Sequence, residues 1–201
     1  MIKLLTVQKI LDEEHVQKLR LISPKEAVVG QWDNLFAFRD AAMRDDLAAM
    51  RDVLARDSSF LADENPDDLP LEYLAKVYQM QTCAREGPLD KVRALADADP
   101  RLLRQPWTRQ RWRPLHQAIC GDQHAIFDLL VERGADLNDR YDEGGTVLHM
   151  AAWDGRVAFA EKILALGFPV DARDDNGKTA AQIAEERGHQ GCAEFLRSRG
   201  G

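Results

Sequence analysis

Three stretches of this chain line up without a gap at a spacing of 33 residues, and that periodicity constrains the fold more than any other feature. They begin at Arg113 (RPLHQAICGDQHAIFDLLVERGADLN), Thr146 (TVLHMAAWDGRVAFAEKILALGFPVD) and Thr179 (TAAQIAEERGHQGCAEFLRSRGG). Leu115 and Leu148 recur at one offset, His116 and His149 at the next, then Ala118, Ala151 and Ala184. Leu130, Leu164 and Leu196 follow further on, and Gly134, Gly167 and Gly200 close the units. A unit this short cannot bury both of its faces, so neighbours must stack into an elongated array.

Within each unit the residues predict two short helices. The first opens at Pro114, Val147 or Ala180, where proline or a small residue suits the first turn. Its alanines, such as Ala151 and Ala152, allow a neighbour to approach closely. Gly155 and Gly188 end it, and Gly121, one place early, is expected to do so in the first unit. The second helix carries an apolar face: Ile126, Phe127, Leu129 and Leu130, then Phe159, Ile163 and Leu164, then Cys192, Phe195 and Leu196. A polar finger follows, 139–145 after the first unit and 173–178 after the second.

The period of 33 residues, with Pro114-Leu115-His116, Leu148-His149 and Gly134-Ala135-Asp136-Leu137-Asn138, closely resembles the ankyrin repeat across residues 113–201. The resemblance implies an all-α solenoid of stacked helix pairs with projecting fingers. It implies a protein-interaction module that uses its concave face. It also implies that His116 and His149 tie neighbouring units by hydrogen bonds to backbone rather than binding metal.

Upstream the pattern decays. Residues 42–61 and 84–103 resemble each other at a spacing of 42, but both lack the histidine motif. Residues 36–112 therefore read as degenerate ankyrin-like helix pairs, giving about five units in all. The other reading is an unrelated helical cap stacked on three true repeats. A turn-rich acidic insertion at 63–70 separates the two stretches, with Leu71 opening the next helix. Residues 1–35 fit no repeat. Ile2, Leu5, Ile10, Leu11, Val16 and Leu19 suggest an amphipathic helix, and Ser23-Pro24-Lys25-Glu26 a capping box starting a short helix that Gly30 breaks. This segment is expected to be an N-terminal helical cap on the solenoid, or else a docking helix for a partner.

Composition narrows the function. With 45% hydrophobic residues in 201 and no low-complexity tract, the chain can form a core. The apolar runs are too short for a bilayer span, and no secretory signal is read at the N-terminus. Three widely spaced cysteines, with no C-x-x-C, argue for a reducing cytoplasm. The net charge of −7 disfavours nucleic acid and anionic membranes as partners. The exception is local: residues 101–121 hold five arginines and no acid.

No P-loop, nucleophile elbow or dinucleotide motif is present, so no catalytic, cofactor or metal residue is assigned. The expected function is a non-catalytic module, monomeric alone, that binds a protein partner. The expected contacts are Arg104, Trp107, Arg109, Arg111 and Trp112 of the finger before the first repeat. Tyr141 and Asp142 join them from the second finger, Gln117, Met150, Trp153 and Asp154 from the first helices, and Arg173 and Asp174 from the last finger. Arginine and tryptophan dominate binding hot spots, which favours the first of these groups. Two alternatives stand beside this reading. One is a dedicated inhibitor or immunity-type protein with one tight partner. The other is an enzyme or small-molecule binder with a pocket between the N-terminal helices and the repeats.

Overall fold

The computed structural model describes residues 27–59, 68–108 and 110–200, with side chains from 33 onward. The amphipathic stretch of residues 2–19 and the capping box at 23–26 lie outside the described residues. Ten α-helices and no strands are found among the described residues. They form five consecutive pairs: α1 (Ala27–Met43) with α2 (Leu47–Arg56), α3 (Leu71–Glu86) with α4 (Leu89–Ala98), α5 (Pro114–Cys120) with α6 (His124–Glu132), α7 (Val147–Trp153) with α8 (Val157–Ala165), and α9 (Ala180–Glu186) with α10 (Gln190–Ser198). The first helices stack in order, α1 on α3, α3 on α5, α5 on α7 and α7 on α9. Among the second helices, α4 packs on α6 and α8 on α10.

A residue with positive φ joins the two helices of every pair: Asp45 (φ 59°), Gly87 (76°), Asp122 (58°), Gly155 (65°) and Gly188 (78°). Four of the pairs share one turn, in which that residue donates to the carbonyl three back, whereas Gly87 is extended in ψ and is followed by Pro88. In the first clear repeat that residue is Asp122, not Gly121 as the sequence pattern suggests. Asp tolerates this conformation better than most side chains do. Gly121 answers a different demand. A Cβ placed there would lie 1.8 Å from the Arg85 carbonyl oxygen, so the end of α3 comes into contact with the backbone of α5 at this point.

Helix α1 also departs from expectation. It runs unbroken through Gly30, because one interior glycine costs a helix only about 1 kcal/mol. Packing further along outweighs that cost: Phe38, Ala41 and Ala42 are buried in one cluster with Leu74, Ala75 and Tyr78 of α3. Helix α3 opens at Leu71, directly after the insertion, and has 16 residues where α5, α7 and α9 have seven each.

The apolar side chains form two clusters. The larger runs from Val77 through the three repeats to Leu196, and the smaller joins α1, α2 and the start of α3. Leu69 and Trp107 pack against both.

Counting from the left-handed turn explains how units are joined. Six residues before it stand Arg39, Gln81, His116, His149 and Gln182 in successive units. His149 Nδ1 accepts from the Thr146 hydroxyl at 2.8 Å, and its Nε2 donates to the Lys178 carbonyl at 3.0 Å. Gln81 Nε2 donates likewise to the Gln105 carbonyl at 3.0 Å. Gln182 Oε1 accepts from the Thr179 backbone at 2.9 Å, and His116 Nδ1 from that of Arg113 at 3.0 Å. His116 Nε2 turns toward the backbone of Asp139 but is not within normal hydrogen-bonding reach. Arg39 instead lays its guanidinium over the Trp107 ring, 5.2 Å from its centroid. A glutamine or an arginine therefore stands where the histidine motif is missing.

Candidate partner-binding face

Three fingers project beside the first helices, and they are bonded to one another. A backbone hydrogen bond spanning four residues closes each tip, although the backbone angles differ between them. Arg111 N–H donates to Thr108 O (3.1 Å), Gly144 N–H to Tyr141 O (3.2 Å) and Gly177 N–H to Asp174 O (3.0 Å). Between fingers, the Asp142 N–H donates to Gln110 O at 2.9 Å and the Asp175 N–H to Glu143 O at 3.0 Å. Arginines add a second set of ties. Arg113 donates to the Arg140 carbonyl, and Arg140 donates to the Arg173 carbonyl at 2.9 Å. These cross-links make the fingers a continuous bonded surface.

The first finger spends several arginines on its own chain. Arg101 pairs with Asp99 at 2.6 Å, and Arg104 with Asp136 at 3.1 Å. Arg113 is largely enclosed and lies 3.4 Å from Asp139. Trp107 is half-buried, edge-on to Tyr78 at 5.6 Å, with its indole N–H enclosed and lacking a hydrogen-bond partner. Trp112 is half-buried as well, and its carbonyl accepts from the Trp107 N–H at 2.7 Å. Arg111 is exposed. Arg109 lies outside the described residues.

In the second finger Tyr141 packs edge-on to His116 at 5.3 Å, and burial raises its phenol pKa above the usual value. Asp142 is exposed. In the third, Arg173 is exposed and donates to the Gly177 carbonyl at 2.6 Å. Asp174 Oδ1 accepts from the backbones of Asn176 and Lys178, which holds that turn closed.

The first helices divide. Trp153 is 39% exposed and carries the Arg187 guanidinium 3.9 Å above its ring. Asp154 is half-buried, and desolvation pushes its carboxyl up from the usual value. Gln117 and Met150, which the sequence pattern puts on the exposed face, are buried at 0% and 3%. Their shared offset points into the stack, where Met150 Sδ lies 3.3 Å from Cys120 Sγ. Both support the face from below.

Sequence reasoning missed Arg187 and the cross-linking Arg140. The signal was available, since Arg140 and Arg173 stand 33 residues apart. Catalytic chemistry finds little support here. Burial pushes the Cys120 thiol up to about 12, and Cys83 and Cys192 rise for the same reason, which leaves poor nucleophiles. His116 is driven down to about 3, first by burial and then by Arg113. Among the described residues no group of three or more His, Cys, Asp or Glu is placed to hold a metal ion. No described helix is long and apolar enough to cross a membrane. Two open clefts lie on the last two units, one lined by Leu164 and Phe195, the other by Arg173 and Arg197.

Residues 111–142 match the ankyrin-repeat family, and residues 129–184 match its many-copy form. The chain is an ankyrin-repeat protein. It is 35% identical over 121 residues to the E3 ubiquitin-protein ligase XBAT32 of Arabidopsis thaliana, an overlap of 60% of this chain and 24% of that protein. It is 34% identical over 71 residues to protein phosphatase 1 regulatory subunit 27 of Homo sapiens, covering 35% of this chain and 46% of that protein. A match of 36% over 74 residues to potassium channel AKT1 of Oryza sativa subsp. indica covers 37% of the chain and 8% of the channel. The chain thus spans about a quarter of the ligase's length. Ankyrin repeats make it a protein–protein interaction module. Ankyrin-repeat proteins are generally non-catalytic.

Proposed function

We propose that this chain is a non-catalytic binding module that holds a protein partner against its concave face, formed by the three fingers and the first helices. One observation carries the reading. Trp153 stands 39% exposed in a stack whose other large apolar side chains are mostly enclosed, and Arg187 covers it. Exposing an indole is unfavourable unless something covers it in use, and tryptophan with arginine is the commonest hot-spot chemistry. Asp154, Arg111, Asp142 and Arg173 border the same face. Residues 36–112 join the array as two degenerate units, a reading supported by Gln81 standing at the position of the histidines. A protein partner fits better than nucleic acid, because acidic segments flank the basic finger.

The test is parallel affinity capture from the native cell with the wild-type chain and Trp153→Ala, quantified by mass spectrometry. A hot-spot indole predicts that one protein is recovered about thirtyfold less by the variant, with the thermal melt unchanged. Equal recovery by both would overturn the proposal.

A further inference from the structure

Beside the exposed Trp153 the groove has a second aromatic residue. Tyr141 lies against Gly145, where a Cβ would fall 2.1 Å from the phenol ring carbon. Its phenol oxygen makes no hydrogen bond among the described residues. Burial raises that phenol first, and Cys120, Asp174, Glu143 and Asp154 add to the rise. The carboxylates of both fingers therefore stand near the ring, and Asp154 directly follows Trp153 in the chain. Asp154 itself also feels Arg156 and Arg85, so the charge open to a partner sits at the tips.

The second and third fingers spend their cations on their own chain. Arg140 donates to the carbonyls of Gly144 and Arg173, and Arg173 to that of Gly177. Lys178 pairs with Glu186 at 2.7 Å, and Arg187 lies over the Trp153 ring. The exposed tip acids Asp142, Glu143 and Asp175 form no ion pair among the described residues. The Asp175 N–H donates to the Glu143 carbonyl at 3.0 Å, and the Asp175 carboxylate covers Gly144, where a Cβ would lie 2.1 Å from Oδ1. Like charges held on joined tips repel, and a cation supplied by a partner relieves that repulsion.

We propose that the concave face of units four and five takes a protein segment that sets an apolar side chain against Trp153 and, beside it, a lysine or arginine among Asp142, Glu143 and Asp175. The proposal deepens the protein-binding reading above and rests on it. Charge complementarity selects the occupant. An acidic segment would add to the repulsion at the tips, whereas a basic one removes it. Lysine and arginine also carry apolar stems, which pack on rings while their heads reach the acids.

The experiment pans a random-peptide phage library on the full chain, then titrates the synthesised consensus peptide against wild type, Trp153→Ala and a Glu143→Gln, Asp175→Asn double variant. Asp142 is left in place because its carboxylate accepts from the Glu143 N–H at 3.1 Å and belongs to the turn. The expected consensus carries a basic residue beside an apolar one. The double variant keeps the shape and loses the charge. It melts no lower than wild type and weakens the peptide tenfold or more, with a smaller loss at high salt. Replacing the basic residue of the peptide by alanine weakens it on wild type but little further on the double variant, as directly coupled groups require. A consensus without a basic residue, a lower melting temperature, a double-variant affinity within about threefold of wild type, fully additive losses, or failure to select any peptide would each overturn the inference. Peptides lost on Trp153→Ala but kept on the double variant would sink it while leaving the protein-binding reading intact. Peptides indifferent to both would sink the two together.

Discussion

His149 and Lys178 join two repeats through a single proton: the imidazole Nε2–H donates to the Lys178 carbonyl at 3.0 Å, while Nδ1 is occupied by Thr146. The ring thus satisfies a helix start and a finger carbonyl at once. His149→Ala strands the Thr146 and Lys178 groups and should cost about 1–3 kcal/mol in urea unfolding. Glutamine already does one half of this work at Gln81 and the other at Gln182. His149→Gln should therefore recover most of the loss. A glutamine variant as unstable as the alanine one would show that ring packing, not hydrogen bonding, is what the position needs.

Both buried histidines make the array sensitive to acid. Burial lowers the pKa of each, that of His116 to about 3, so the folded state keeps them neutral. Unfolded chain takes up these protons once the pH drops below about 6.5. Stability from the pair is therefore complete above that value and is lost as the pH falls from there toward the folded pKa. Melting temperatures between pH 7.5 and 5 should fall for wild type and fall less for a His116→Gln, His149→Gln double variant. Asp154, whose carboxyl is raised by burial, is common to both proteins, so a parallel decline in both would remove the histidines from the explanation.

The contact between units two and three admits no side chain at Gly121. Gly121→Ala drives a methyl into the Arg85 carbonyl and should cost about 3 kcal/mol in urea unfolding. The adjacent Asp122→Gly should do the reverse, stabilising by about 1 kcal/mol because it frees a left-handed backbone from its Cβ. If Gly121→Ala melts like wild type, α3 and α5 are not packed as tightly as described.

Trp107 joins the two apolar clusters through Tyr78 and lies under Arg39. Its removal should destabilise by about 2–3 kcal/mol, less than a fully buried aromatic because one side remains wet. A Trp107→Ala protein that melts normally yet loses its partner would assign this ring to binding instead.

The three clear repeats were legible because a 33-residue period reports contacts within a unit and with its nearest neighbour. The structural role of His149 could be expected because its Leu148-His149 motif resembles the ankyrin repeat. The upstream units were harder. Gln81 and Arg39 follow no motif, and their equivalence to His116 emerges only when residues are counted from the left-handed turn of each pair. Gln117 and Met150 were misplaced for a related reason. A residue's exposure on a seven-residue helix depends on how the next helix is rotated against it.

What the sequence determined by itself was the unit: two helices, a left-handed turn and a finger, since these arise from residues close together along the chain. Tertiary structure decided which side chains reach from one unit to the next. Arg140 against Arg173, Gly121 against Arg85 and Arg39 against Trp107 join positions 33 to 68 residues apart, and their meeting depends on the register in which whole units stack. That register is set by summed packing over many small contacts, so no single motif records it.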